Sequence, residues 1–131
     1  MAWIRACGGN PVSNFPWDVV LLGGFDALSK TAPNGTVTYC TTSILSPTIE
    51  AGCQLSFNVS WDGSTASRSI FVEVSTDGNA WTSVGSHTGT SSYIATVPLA
   101  SYAGSGLYVR VGFSNSQGTG TQMHVNSMTI I

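Results

Sequence analysis

Short runs of alternating apolar and polar residues, broken by Gly, Asn, Asp, Ser and Pro, fill most of this chain of 131 residues. Such period-two alternation predicts half-buried strands rather than helices. In Gln54–Trp61, residues Leu55, Phe57, Val59 and Trp61 share one face, and Ser56, Asn58 and Ser60 take the other. Leu107–Phe113 alternates in the same way, with Leu107, Val109, Val111 and Phe113 inward. Ser67–Ser75 and Ala80–Ser86 read as a hairpin around Asp77-Gly78-Asn79, where Gly and Asn tolerate the positive φ a tight turn needs. Thr36–Ile44, rich in β-branched residues, and Tyr93–Pro98 complete the clear strands. Gln122–Ile131 changes parity: Met123 and Val125 are odd-numbered and Met128 and Ile130 even-numbered, so one extra residue at Asn126-Ser127, a β-bulge, is expected. Helical spacing is confined to Trp17–Leu22 and Phe25–Lys30, and Gly23-Gly24 separates them. Seven or eight strands of this length predict an antiparallel β-sandwich over residues 23–131.

Residues 1–22 do not fit that pattern. Trp3, Ile4, Phe15 and Trp17 alternate with Gly8-Gly9, Asn10-Pro11 and Phe15-Pro16, which predicts a short irregular N-terminal arm. Apolar side chains on such an arm seek a surface, either that of a neighbouring subunit or that of the arm's own sandwich.

Composition narrows the range of functions. Charged residues make up only 8% of the chain, the net charge is −2, and there are four basic residues. These four are scattered, so no stripe exists to neutralise a run of phosphates, and nucleic acid is not an expected partner. No apolar run approaches the roughly 18 residues of a membrane span. The first ten residues carry one Arg and no apolar core, so no export signal is expected from them.

Cys7, Cys40 and Cys53 are an odd set. If the strands around Cys40 and Cys53 formed a hairpin turning near Pro47–Glu50, Cys53 would fall opposite Ile44, and the offset from Cys40 would be roughly 13 Å of strand. A bridge between them is not expected on that geometry, and buried free thiols are. No CxxC is present, and His87 and His124 stand far from all three cysteines, which argues against zinc.

Four motifs in order resemble the jelly-roll modules of the MAM and cleaved-adhesin type, which are galactose-binding-like β-sandwiches. They are Ser46-Pro47-Thr48-Ile49 with Leu55-Ser56-Phe57, then Val72–Trp81, then Leu99–Gly104 with Leu107–Val111, and last Val125–Ile130. Gly24-Phe25-Asp26 is similar to a reduced first strand of that family. The resemblance implies a jelly roll and a role in adhesion, glycan binding or assembly, without choosing among them. It also implies a place for structural calcium. Asn126 and Ser127 stand where the family carries an acidic pair, however, leaving Asp26 and Asn126 as a weak ligand set. No cofactor is expected.

Catalysis is not expected either. Asp62-Gly63 and Asp77-Gly78 are ordinary turn pairs, no two of the carboxylates can be nominated as a glycosidase pair, and neither histidine sits in a hydrolase motif. His87 reads as a loop residue, and His124 as outward-facing on the last strand. A sugar site needs an exposed aromatic face and polar groups beside it. Tyr93, Tyr102, Tyr108 and Trp81 are the candidates, with Asn79, Asn115 and Gln117 as polar partners. Trp81, just after the hairpin turn, is expected to pack into the core, and Tyr108 with Arg110 to be sheet surface. The glycine-rich Ser114–Thr121 lacks a phosphate-loop ending and reads as a connection.

Two functions follow. The first is a non-enzymatic structural or attachment protein of a virion, such as a bacteriophage tail, baseplate or capsid-decoration component. It would act through Trp3, Ile4, Phe15 and Trp17 on other virion proteins or identical subunits, and would present a surface to host glycans. The alternative is a carbohydrate-binding or adhesin module of a cell-surface or secreted protein.

Overall fold

The computed structural model describes residues 25–42, 45–46, 48–63, 68–116 and 121–130. Eight strands follow in order: β1 (Ser29–Ala32), β2 (Thr36–Thr41), β3 (Gln54–Trp61), β4 (Arg68–Ser75), β5 (Thr82–Thr88), β6 (Ser92–Pro98), β7 (Tyr108–Asn115) and β8 (Thr121–Ile130), with a 3-10 turn at Ala100–Tyr102. One sheet has the order β1-β8-β3-β6 and the other β2-β7-β4-β5, and every pairing is antiparallel. The pairs β4/β5, β3/β6, β2/β7 and β1/β8 are therefore nested, like one long hairpin rolled into a barrel-shaped sandwich. This is a jelly roll, the architecture the alternation and the motif order predict.

Burial follows the parity read from the sequence. Leu55, Phe57, Val59 and Trp61 from β3 meet Ile70, Val72 and Val74 from β4 and Val109, Val111 and Phe113 from β7, all essentially sealed from solvent. Each such side chain contributes roughly 1.5–3 kcal/mol by leaving water. Trp61 stacks on Phe113 with ring centroids 5.7 Å apart, and its indole Nε1 is buried without a hydrogen-bond partner. The expected bulge in the last strand is present. Asn58 pairs with Ser127 and Val59 with Val125, so Asn126 is the extra residue and the parity change is reconciled.

Polar groups tie the two layers together. Asn115 is buried, donates Nδ2–H to the Ala32 carbonyl at 2.9 Å and accepts from Arg68 Nε at 3.3 Å. Within one sheet, Thr42 Oγ1 donates to the Val109 carbonyl at 3.1 Å and accepts from Val109 N at 2.9 Å, extending the β2–β7 ladder.

Several expectations need correction. Phe25–Lys30 is not helical: Phe25 makes an isolated bridge to Thr42, and β1 begins at Ser29. Pairing with β8 and with Thr42 satisfies this backbone, and that outweighs the local spacing of apolar residues. The hairpin imagined around Pro47–Glu50 does not form. β2 and β3 lie in different sheets, so Cys40 and Cys53 are not cross-strand neighbours. Cys40 is a buried free thiol as expected, but Cys53 is held in a disulfide. His87 belongs to β5 rather than to a loop and stacks on Tyr93, with centroids 5.3 Å apart. The arm residues Trp3, Ile4, Phe15 and Trp17, the 22/23 boundary, Cys7 and Gln117 lie outside the described residues.

Candidate functional site

The outer face of the β2-β7-β4-β5 sheet groups aromatic side chains around an ion pair. Since Val109, Val111 and Phe113 point inward, Tyr108, Arg110 and Gly112 face out. Since Ile70, Val72 and Val74 point inward, Phe71 and Glu73 face out beside them. Pairing sets the rows. Tyr39, Gly112 and Phe71 lie across one line of the sheet, and Thr41, Arg110 and Glu73 across the next.

Gly112 is what lets the first row close up. A Cβ there would fall 2.1 Å from Phe71 Cε2, so the Phe71 ring lies in the space a side chain would occupy. From that bed it meets Tyr39 edge to face, with centroids 5.9 Å apart at 75°. In the second row Arg110 Nε donates to Glu73 Oε1 at 2.6 Å, with the two side chains 23% and 17% exposed. The Arg110 guanidinium carbon stands 4.1 Å from the Tyr39 ring centroid and 4.4 Å from that of Trp81. One cation thus touches two aromatic faces and one carboxylate, an arrangement that fixes the guanidinium plane. Tyr108, two residues along β7, extends the face toward the hairpin turn, its ring beside Gly78.

Trp81 is therefore not core. It is half-buried on this outer face, over Arg110. The cause is a bulge between β4 and β5: Val72 pairs with Gly85 but Glu73 pairs with Ser83. Trp81 lies two residues before Ser83 and so shares the outward side of Glu73. The turn itself is built by Asp77, whose Oδ1 accepts from Asn79 N at 2.8 Å, Ala80 N at 2.9 Å and Ser75 Oγ at 2.9 Å. The Ala80 and Asn79 amides, followed by the Ser75 hydroxyl, hold this carboxyl below its ordinary range.

A second layer supports Tyr39. Lys30 Nζ donates to the Tyr39 carbonyl at 2.6 Å and to Asp26 Oδ2 at 2.6 Å, while Asp26 Oδ1 accepts from Ala27 N and Thr41 N at 2.8 and 3.0 Å. Burial pushes the Asp26 carboxyl up, but the Lys30 ammonium and the backbone amides outweigh it and the net shift is downward. Of the weak calcium pair, Asp26 is committed to this ammonium, and Asn126 donates to Asn58 and Ser60 at 3.2 and 3.0 Å on the other sheet.

The sequence candidates fall in different places. Tyr108 belongs to the aromatic face. Tyr93 is turned toward the interior, edge-on to Phe57 with centroids 5.0 Å apart. Tyr102 packs against the core from the 3-10 turn, and Asn115 is a buried tie between sheets. Tyr39, Phe71, Glu73 and Arg110 were not singled out as ligand candidates. Their signal was present in part, because Phe71 is an aromatic residue on the polar side of an otherwise cleanly alternating strand.

The outer face of the opposite sheet has another character. It is lined by Ser56, Asn58, Ser60, Thr96 and Asn126, which hydrogen-bond to one another, and by Ile94, 70% exposed. At its end, Ser29 Oγ lies 2.9 Å from His124 Nδ1, and His124 Nε2 lies 3.0 Å from Asp62 Oδ1. His124 faces outward as expected, but the sequence did not reveal that it joins a serine to an aspartate. Asp62 is 66% exposed, so water competes for its hydrogen bonds. The relay lacks the buried carboxylate that orients the base in a serine hydrolase.

No protein-family model matches this sequence, and no curated protein matches it. Among solved structures, the chain is similar to the glycoside hydrolase domain of Endo-D from Streptococcus pneumoniae R6, with a TM-score of 0.55 and 16% identity, over 78% of this chain and only 17% of that one. It is also similar to TmCBM61, solved in complex with beta-1,4-galactotriose, with a TM-score of 0.53 and 9% identity, over 82% of this chain and 84% of that one. At these identities the shared property is the fold, a jelly-roll sandwich, and nothing further.

Proposed function

We propose that this protein is a non-catalytic carbohydrate-binding module whose site is the outer face formed by Tyr39, Phe71, Trp81 and Tyr108 around Arg110 and Glu73. The observation that carries this reading is the Arg110 guanidinium stacked on Tyr39 and Trp81 and paired with Glu73. A pyranose presents apolar C–H faces ringed by hydroxyls. Its recognition calls for flat apolar rings with a few fixed donors and acceptors between them. This face supplies both, and the side chains are held in place before any ligand arrives, which limits the ordering cost of binding. A glycan-binding role also agrees with the extracellular or cell-surface setting in which a disulfide such as that of Cys53 persists.

The structural neighbours favour this reading over virion assembly, and no feature of the described residues favours the latter. The test is affinity electrophoresis and calorimetry against a panel of plant and microbial polysaccharides. Trp81→Ala and Tyr39→Ala are each expected to weaken binding at least tenfold while thermal unfolding stays cooperative. Binding that survives both substitutions, or a panel with no ligand, would overturn the assignment.

A further inference from the structure

Building on the glycan-binding reading, we infer that this site selects neutral sugars through a free pair of adjacent hydroxyls and rejects glycans that carry carboxylate or sulfate groups. The guanidinium of Arg110 has five N–H donors, and Glu73 takes the one on Nε at 2.6 Å. Nη1, Nη2 and Glu73 Oε2 have no hydrogen-bond partner among the described residues. Trp61 Nε1 is the one sealed, unpartnered side-chain polar atom among those residues, so these three atoms reach solvent. The result is a fixed row of donors beside a fixed acceptor, between two aromatic rings. Two neighbouring sugar hydroxyls, each able to accept from Arg110 and donate to Glu73, complete that row; one isolated hydroxyl leaves part of it unsatisfied.

Charge sets the exclusion. The positive charge of Arg110 is already compensated by Glu73. The other outward residues in these rows and beside them, Val37, Thr41, Ser69, Ser83, Tyr108 and Ser114, carry no charge. Lys30 is paired with Asp26 and bonded to the Tyr39 carbonyl, and Arg68 stands at the far end of β4, opposite Asn115 and away from the Glu73–Arg110 row. A uronate or sulfate brought to this face would set a second anion against the Glu73 carboxylate, in competition for one guanidinium. Like-charge contact of this kind disfavours the wrong partner more strongly than it changes affinity for the right one.

The experiment uses the full chain in affinity gels containing either neutral 1,4-linked galactan, glucan or mannan, or acidic polygalacturonate, alginate or chondroitin sulfate. A neutral ligand is also tested after periodate has cleaved its vicinal diols. The native protein is expected to bind a neutral polymer at least tenfold more tightly than any acidic one, and to lose that binding after periodate. Glu73→Gln keeps the size and an acceptor oxygen but leaves Arg110 uncompensated, and should raise the acidic-to-neutral affinity ratio at least tenfold. Arg110→Lys keeps the charge without the planar fork and should lose the neutral ligand. Acidic glycans bound as well as neutral ones, a neutral ligand still bound after periodate, or a ratio unmoved by Glu73→Gln would each overturn the selectivity while leaving the glycan-binding reading intact. Absence of binding to both classes, or binding indifferent to Trp81→Ala, would overturn the underlying reading itself.

Discussion

Gly112→Ala adds a single carbon to the middle of β7, and the geometry says that carbon has nowhere to go. An ideal Cβ would stand 2.1, 2.3 and 2.8 Å from Cε2, Cζ and Cδ2 of Phe71. These are atoms of a rigid ring, so the whole side chain must leave its bed and its edge-to-face contact with Tyr39. Forced repacking of this kind costs about 1–3 kcal/mol, and the lost aromatic contact adds about 0.5–1.5 kcal/mol. Opposing them is the gain of about 0.5–1 kcal/mol from replacing Gly by Ala in a strand. Gly112 is not among the glycines with positive φ, so its backbone accepts any L-residue. The expected net loss is about 0.5–4 kcal/mol, centred at about 2 kcal/mol. In a Phe71→Ala background the obstruction is gone, and Gly112→Ala should then be neutral or stabilising by up to about 1 kcal/mol. A double-mutant cycle read from urea midpoints at unchanged slope gives the coupling directly. Equal destabilisation in both backgrounds would refute the reasoning, because it would place the requirement for glycine in the β7 backbone and not under the Phe71 ring.

Two titrating groups, Cys40 and Asp77, carry further predictions. Burial pushes the Cys40 thiol up from 9.0 to about 11, so the native protein at pH 8 should leave this thiol unlabelled by Ellman's reagent until it is denatured. The neutral thiol is the folded form. Its contribution to stability is complete below the unfolded value of 9.0 and is lost as pH rises toward about 11, which a series of alkaline thermal melts will register. Asp77 has the opposite sign. Its lowered folded value means that its contribution is present above 3.8 and fades as pH falls through the folded value. Asp77→Ala should speed hydrogen exchange at the Asn79 and Ala80 amides, which the carboxylate accepts from, and leave the β3 amides unchanged.

Most of the fold was legible because burial on one face of a strand writes period-two alternation into the chain. Gln54–Trp61 coincides with β3, and the parity break in the last strand located the bulge at Asn126, since a slipped register would have turned Met128 and Ile130 to solvent. β1 was missed for the converse reason. It is a strand of four residues at the edge of its sheet with one side chain, Ala32, in the core, so it carries too little alternation to read. Cys53 was misjudged because Cys40 was the one partner weighed for it, and Cys40 is the free thiol.

The candidate site was half legible, and the missing half turns on one residue. Parity alone puts Phe71, Glu73, Tyr108, Arg110 and Gly112 on outward faces, but only the nested topology brings β2 alongside β7 and sets Tyr39 opposite Gly112. Trp81 depends on something finer. Continued without interruption from the Val72–Gly85 pair, the β4–β5 ladder would oppose Glu73 with Val84 and turn Ser83, and with it Trp81, toward the core, as the sequence reading expected. The bulge instead sets Ser83 opposite Glu73 and turns Val84 against the core. That one-residue slip exchanges the two faces. It takes an indole from the interior, which Trp61 and Phe113 already fill, and lays it on Arg110. The same hairpin that specifies the fold thereby supplies one wall of the proposed binding face. Whether Trp81 belongs to framework or to site is decided by the register of β5, not by its distance from the turn.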